Sequence, residues 1–286
     1  MSGRHLDEAW RWSRRHRAPL VFYFWDIPPW RLASGRPDPV FELGARLVSI
    51  PRLFGRLSRR PGYFSRILYA LKHTAEVWVA SRSIVELVEG AVGRCPTQVP
   101  YCYDSDRFTP GPECRDPELI VTVSRLISYK GQGDLIRAVA TLPRRPRLRV
   151  IGRGPEEGKL RALAASLDIR CSVETDVTDE GIVEAYRTAG VVVCPSHFEG
   201  FGLTGLEALA CGARVVATDI PPHREFLGVE PVYYAPGDTV ALAAALETAA
   251  ATLPDDGRRA DLSALTIPAT VARFAASLTP ILERST

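Results

Sequence analysis

The stretch HFEGFGLTGLEALACG, His197–Gly212, decides how the rest of the chain is read. It follows an apolar run, Val191–Cys194, that reads as a buried strand, and it runs into a helical pattern from Leu203 to Ala210. Gly200, Gly202 and Gly205 loosen the joint, since glycine takes backbone conformations closed to other residues and approaches a ligand closely. A helix starting near Leu203 leaves its first N–H groups unpaired and presents the positive end of its dipole, a combination that suits phosphate. Glu199 precedes that end and Glu207 lies on the helix, eight positions later. The two acids are placed to hold hydroxyl groups on either side of a bound phosphate. The ligand this suggests is a sugar nucleotide held by its diphosphate. On spacing alone the alternative is an ordinary strand–loop–helix joint whose glycines only make the turn.

Working outward, strand and helix patterns alternate through the second half. Leu119–Ser124, Leu148–Ile151, Cys171–Val173, Val191–Cys194, Ala213–Ala217 and Val232–Tyr234 read as strands. Gly133–Leu142, Glu156–Leu167, Glu180–Thr188, Leu203–Ala210 and Val240–Ala251 read as the helices between and after them, with a last helix, Thr270–Glu283, after Pro268. Such alternation predicts an α/β fold with a doubly wound parallel sheet. Sheets of this kind bind ligands beyond the carboxyl ends of their strands. Arg125 and Lys130, in SRLISYKGQGD, stand at such an end, with Gly131 and Gly133 beside them. Arg as a fork and Lys as a point charge would clamp a diphosphate there, unless the segment is only a solvated loop. Val150-Ile151-Gly152-Arg153-Gly154 also follows a strand, but Gly158 completes only a loose dinucleotide fingerprint. No acid follows at the ribose position unless Glu174 or Asp176 serves, so the signal for NAD is weak.

The first half is less regular. Pro19–Asp26, PLVFYFWD, reads as a buried strand whose end offers Trp25 and Asp26 as site candidates, unless Asp26 only caps the next turn. Glu76–Ala80 is a second strand, followed by a helix Ile84–Glu89 that Ser81 or Ser83 would cap, and Thr97–Cys102 a third. Asp104-Ser105-Asp106 has the form of a metal-binding acid pair. The turn reading is favoured over it, because Asp forms turns, a linker composition follows and no third oxygen ligand stands nearby.

At 286 residues the chain has room for two domains. With 46% hydrophobic and 24% charged residues its composition is globular, and no stretch nears the 18 apolar residues that would read as a membrane span. The N-terminus lacks the apolar core of a secretion signal. Six cysteines form no CxxC pair, and Cys194 and Cys211 sit in apolar runs as small buried residues, so a reducing cytoplasm is expected. Charge is uneven: residues 1–73 hold 14 Lys/Arg against 5 Asp/Glu. Residues 46–66 mix Arg46, Arg52, Arg56 and Arg66 with leucines and phenylalanines at helical spacing. This is either a peripheral contact with an anionic membrane on its inner face or a surface helix over a sheet. No nucleic-acid partner is expected.

The order SRLxxxKG, VIGRGPEEGKLRALAASL and CPSHFEGFGLTGLEALACGARVVATD resembles the retaining GT-B glycosyltransferases of family 4, over roughly residues 76–251. Their E-x7-E element is matched by Glu199 and Glu207. The resemblance implies two Rossmann-like domains, a nucleotide-sugar donor held mainly by the second, and neither a cofactor nor a required metal. It implies an acceptor-side domain over 1–115, a donor domain over 116–267 and a helix over 268–286 that crosses back. Arg125 and Lys130 would then neutralise the donor diphosphate. The N–H groups of Gly202, Leu203 and Thr204, in a loop with Gly200 and Phe201, would hold its distal phosphate. Glu207 would bind the ribose and Glu199 the transferred sugar. Gly152 would border the donor, and the loop Glu174–Val177 would lie against the base. The implied activity is hexose transfer from a UDP- or GDP-linked donor to a glycan or lipid-linked acceptor in cell-surface polysaccharide or glycolipid synthesis. Thr218–Glu225, TDIPPHRE, resembles some GDP-mannose users.

The chain also departs from that family. Three strand candidates precede Pro110 where the family has about six or seven, no early glycine-rich loop is present, and Trp25-Asp26 stands where a catalytic histidine is usual. The N-terminal domain therefore reads as incomplete. Three explanations stand: a fragment or a chain completed by a second polypeptide, an enzyme with a reduced acceptor domain, or a non-catalytic sugar-nucleotide-binding subunit.

Overall fold

A computed structural model of the chain describes residues 3–16, 18–24, 71–251 and 261–283. Trp25, Asp26 and the basic segment 46–66 lie outside these residues. The chain divides into two compact units, Met1–Pro100 with Thr270–Thr286, and Tyr101–Ala269.

In the first unit, helix α1 (Gly3–His16) precedes strand β1 (Val21–Phe24), followed by β2 (Glu76–Val79), helix α2 (Arg82–Val92) and β3 (Thr97–Gln98). The three strands form a parallel sheet in the order β1-β2-β3, with Val21 opposite Glu76 and Trp78 opposite Thr97. Alternation along β2 explains its two packed faces. Val77 and Val79 join Leu71, Ile84 and Val88 on one side, while Trp78 joins Val99 and Ile281 on the other. The Trp78 ring meets Phe274 edge-on at 5.1 Å. The strand expected over Thr97–Cys102 is shorter. Ser81 occupies the cap position of α2, but its hydroxyl bonds Ser83 rather than the helix backbone.

The second unit carries β4 (Asp116–Val123), α3 (Gln132–Thr141), β5 (Arg147–Ile151), α4 (Glu157–Ser166), β6 (Cys171–Glu174) and α5 (Asp179–Thr188). It continues with β7 (Ala189–Cys194), α6 (Leu203–Ala210), β8 (Val215–Thr218), α7 (Pro221–Leu227), β9 (Val232–Tyr234) and α8 (Thr239–Ala251). All six strands are parallel, in the order β6-β5-β4-β7-β8-β9. β7 is buried along its whole length, as a central strand with both faces covered must be. Leu242, Ala245, Leu246 and Ala249 of α8 repeat at helical spacing and join the core under β4, β5 and β7. The order reverses between β4, whose neighbour on one side is β5, and β7 on its other side. That is the switch point at which such sheets open a crevice.

Helix α7 follows from PPHREFL: the two prolines occupy its first turn, where a missing N–H costs nothing and φ is already set. The same allowance lets α9 (Ile267–Glu283) begin before Pro268 rather than after it. Asp104 folds into a turn, its Oδ1 accepting the N–H groups of Asp106 and Arg107. Cys194 and Cys211 are buried free thiols.

Arg115 locks the base of this sheet. Its guanidinium donates to the carbonyls of Tyr186 (2.9 Å), Ala189 (3.1 Å) and Cys211 (2.8 Å), where α5 and α6 end. Replacing Arg115 by leucine leaves those half-buried carbonyls without their donor, and unfolding in denaturant is expected to show a loss of about 3 kcal/mol.

Candidate functional site

The loops leaving β4 and β7 are tied to each other before any side chain is considered. The His197 N–H donates to the Tyr129 carbonyl at 2.8 Å. Gly131 sits at φ +72°, and a side chain there would land on the Pro195 carbonyl oxygen. Only glycine permits both the left-handed backbone and that approach.

This seam brings Lys130 onto Glu199. The Lys130 Nζ lies 2.5 Å from Glu199 Oε1, with 11% and 16% of the two side chains exposed. Burial alone would push the Glu199 carboxyl up. The Lys130 ammonium, His223 and the Ser196 hydrogen bond together outweigh that effect and hold the group below the usual carboxylate range. A cation and an acid read from separate motifs therefore meet, mostly buried, at the carboxyl ends of β4 and β7.

Helix α6 opens beside them from Gly202, whose φ of +103° forms the cap without a side-chain hydrogen bond. Its first N–H groups are those of Leu203 and Thr204, at the positive end of the helix dipole. The Thr204 hydroxyl is already used, donating to the Val123 carbonyl at 2.9 Å. Phe201 anchors the loop. Its buried ring packs on Phe226 at 4.0 Å and meets Tyr101 edge-on at 5.6 Å.

Glu207 follows on α6. Its Oε2 accepts the hydroxyl of Tyr186 at 3.1 Å. Burial pushes this carboxyl up to about 7; the Tyr186 bond and Arg107 pull down, and Asp179 adds to the rise. The two acids of the opening stretch thus differ in kind: Glu199 is ionised and paired, while Glu207 is poised near neutrality.

The remaining residues singled out in the sequence sit as follows. The guanidinium of Arg125 donates to the Tyr129 hydroxyl at 2.9 Å. Gly152 extends the ladder past β5, its N–H reaching the Glu174 carbonyl at 2.9 Å, and a side chain there would strike the Ser124 carbonyl. Strand crowding by itself requires glycine at this position. Val177 precedes α5, which Thr178 caps by accepting the Gly181 N–H at 3.2 Å. The Glu174–Val177 loop is shaped by arginines: Arg149 pairs with Glu174, and Arg153 donates to the Thr175 carbonyl at 2.7 Å.

Three supporting residues escaped the sequence reading. Tyr186 is one, and His223 and Thr218 are the others. Thr218 Oγ1 donates to the Ser196 carbonyl at 2.7 Å, so the His223 Nδ1–H must donate toward Thr218, whose carbonyl is 2.9 Å away. The far edge of the fully buried imidazole stands 3.0 Å from where a Gly202 side chain would begin. Burial lowers the His223 pKa, with Glu199 opposing. TDIPPHRE contained the histidine, but no periodicity announces a residue that supports a loop from behind.

A six-stranded, doubly wound parallel unit, paired with a second unit built on a parallel sheet, is the architecture of GT-B glycosyltransferases. The profile described as Glycosyl transferases group 1 matches residues 107–254, and the chain belongs to that family. Among curated proteins it is similar to a D-inositol 3-phosphate glycosyltransferase of Acidothermus cellulolyticus. The two are 34% identical over 231 residues, 73% of this chain and 48% of that protein. A protein of the same description from Xylanimonas cellulosilytica is 38% identical over 52% of this chain and 37% of its own length. The chain spans about half the length, or less, of the curated relatives it matches. Among solved structures, sucrose-phosphate synthase of Thermosynechococcus elongatus superposes with a TM-score of 0.74 at 20% identity, covering 98% of this chain and 72% of that one. Anabaena HepE, solved in complex with UDP, superposes with a TM-score of 0.72 at 19% identity, covering 98% and 77%. These likenesses establish the fold. Among the described residues no helix is long and apolar enough to cross a membrane.

Proposed function

We propose that this chain binds a UDP- or GDP-linked hexose at the carboxyl ends of β4 and β7 and transfers the hexose, with retention of configuration, to an acceptor hydroxyl. The observation that carries the reading is the contact of Lys130 with Glu199 beside the start of α6. Breaking the bond between sugar and diphosphate places negative charge on the leaving oxygen and positive charge on the sugar. Lys130, Arg125 and the N–H groups of Leu203 and Thr204 would meet the first in a preorganised site, supplying positive charge that in other enzymes comes from a metal. Glu199 would hold hydroxyls of the departing sugar. It is not proposed as a covalent nucleophile, because its acid is committed to Lys130 and the acceptor would enter on the face the leaving group vacates. Glu207 would take the ribose hydroxyls.

The curated relatives are named for D-inositol 3-phosphate, which makes a phosphorylated polyol the first acceptor to try, ahead of glycans and lipid-linked sugars. The expected result is a product with the donor's anomeric configuration, formed from UDP-glucose or GDP-mannose. Donor binding with no product from any of these acceptors would contradict transfer, and would favour the reading of a sugar-nucleotide-binding chain completed by a second polypeptide. Within the site, Glu207→Ala is expected to weaken nucleotide binding by about tenfold, and Glu199→Ala by less, because ribose contact belongs to the former. Calorimetry returning equal affinities for the two variants would undo that division of roles.

A further inference from the structure

We infer that Tyr186 is the positioning residue of the ribose-binding acid, its hydroxyl holding the Glu207 carboxylate in the orientation a nucleotide meets; the inference rests on the donor site proposed above. Tyr186 is fully buried and projects from α5 toward α6. A buried tyrosine hydroxyl needs a partner, and this one has its single proton to give. Thr204, which also neighbours the hydroxyl, has spent its own proton on the Val123 carbonyl. The Tyr186 proton therefore goes to the stronger acceptor, Glu207 Oε2, 3.1 Å away.

The ring itself cannot drift. The Phe108 ring packs against it at 6.1 Å, and the backbone carbonyl of Tyr186 is one of the three held by Arg115. The groups that bear on Glu207 come from each surrounding element. They are Tyr186 and Asp179 of α5, Arg107 of the turn before β4, and the thiols of Cys194 and Cys211. Arg107 is itself paired with Asp179 at 2.6 Å, and among the described residues Tyr186 is the side chain that donates a hydrogen bond to this acid.

Two consequences follow for donor binding. Ribose hydroxyls donate more strongly to a carboxylate than to a carboxylic acid, so nucleotide binding favours the ionised form of Glu207. Burial has moved that ionisation up to about 7, so binding releases a proton as the pH approaches neutrality from below. The Tyr186 bond lowers this value, and removing it moves the acid limb of binding to higher pH.

The test is titration of the wild-type chain, Tyr186→Phe and Glu207→Gln with UDP-glucose and with GDP-mannose from pH 6 to pH 8. The diphosphate of these donors does not titrate in that range. Wild type is expected to bind more tightly as the pH rises. Tyr186→Phe, which deletes one oxygen, is expected to bind about tenfold more weakly at pH 7. Its limb is expected at higher pH, while Glu207→Gln should lose the pH dependence. If wild type binds and Tyr186→Phe matches it in affinity and pH profile, the positioning role is overturned while the donor site stands. If wild type binds neither donor, the donor site fails and takes this inference with it. Should the variant not fold, the side-chain carboxyl of Glu207 followed by carbon NMR in the wild type decides the matter. A midpoint near neutrality that falls on adding donor agrees, and one in the ordinary carboxylate range, unmoved by donor, does not.

Discussion

Replacing Lys130 by methionine is expected to reduce sugar transfer by about a thousandfold, the loss typical of removing one preorganised group that meets charge on a leaving oxygen. The same change is expected to lower stability, because the nearly buried Glu199 carboxylate then lacks its cation. Breaking such a pair from one side costs about 3 kcal/mol, less what the acid recovers by taking up a proton. In the wild type the Glu199 pKa is lowered despite its burial. The pair's contribution is present above the ordinary carboxylate range and is lost as the pH falls through the lowered value, so the deficit of Lys130→Met should shrink in acid. Adding Glu199→Gln to Lys130→Met removes the orphaned charge and is expected to restore most of the stability but none of the transfer. Product formation and thermal unfolding of the two variants separate the roles. Transfer within tenfold of wild type in Lys130→Met would remove Lys130 from the chemistry.

Gly131→Ala is expected to be as damaging, though it touches no charge. The residue lies at φ +72°, where a non-glycine residue is strained, and the added carbon would meet the Pro195 carbonyl. Relief requires the seam between the two loops to open, at a cost of about 3 kcal/mol. Opening it carries Lys130 away from Glu199, so nucleotide affinity should fall together with stability. Gly133→Ala is the internal control. Gly133 is helical, in α3, and an added carbon would meet only the flexible Arg137 tip at 3.3 Å and Leu163 at 3.9 Å. That variant is expected to be neutral or stabilised by about 0.5–1 kcal/mol. Equal denaturation midpoints for the two alanine variants would show that the seam does not hold the site.

Much of this was legible beforehand where the physics is local. The strand and helix patterns from Leu119 to Ala251 lie in a unit whose apolar periodicities are strong, and β9 occupies Val232–Tyr234 as read. The switch point then follows from the parallel order, so Lys130 and Glu199 could be expected at one crevice without knowing that they touch. What escaped depends on long-range contact. Tyr186 reads as one more apolar position on a helix, and only packing shows its hydroxyl against Glu207. His223 sits in a proline turn whose helix is set by its first two residues rather than by periodicity. At Gly152 the tight fit of one strand's end on the next asks for the same residue as a bound phosphate does, so the sequence alone does not separate the two demands. At Asp104 the chemistry is local, and the turn expected from it is what forms.

The proposed donor site lies at the carboxyl ends of β4 and β7, organised by Lys130, Glu199 and the start of α6. Isothermal titration of the chain with UDP-glucose and GDP-mannose tests it most directly. One molecule of at least one of these donors is expected to bind per chain, with the affinity lost in Lys130→Met. Absence of binding by every common UDP- and GDP-linked hexose, or binding that Lys130→Met leaves unchanged, would contradict it.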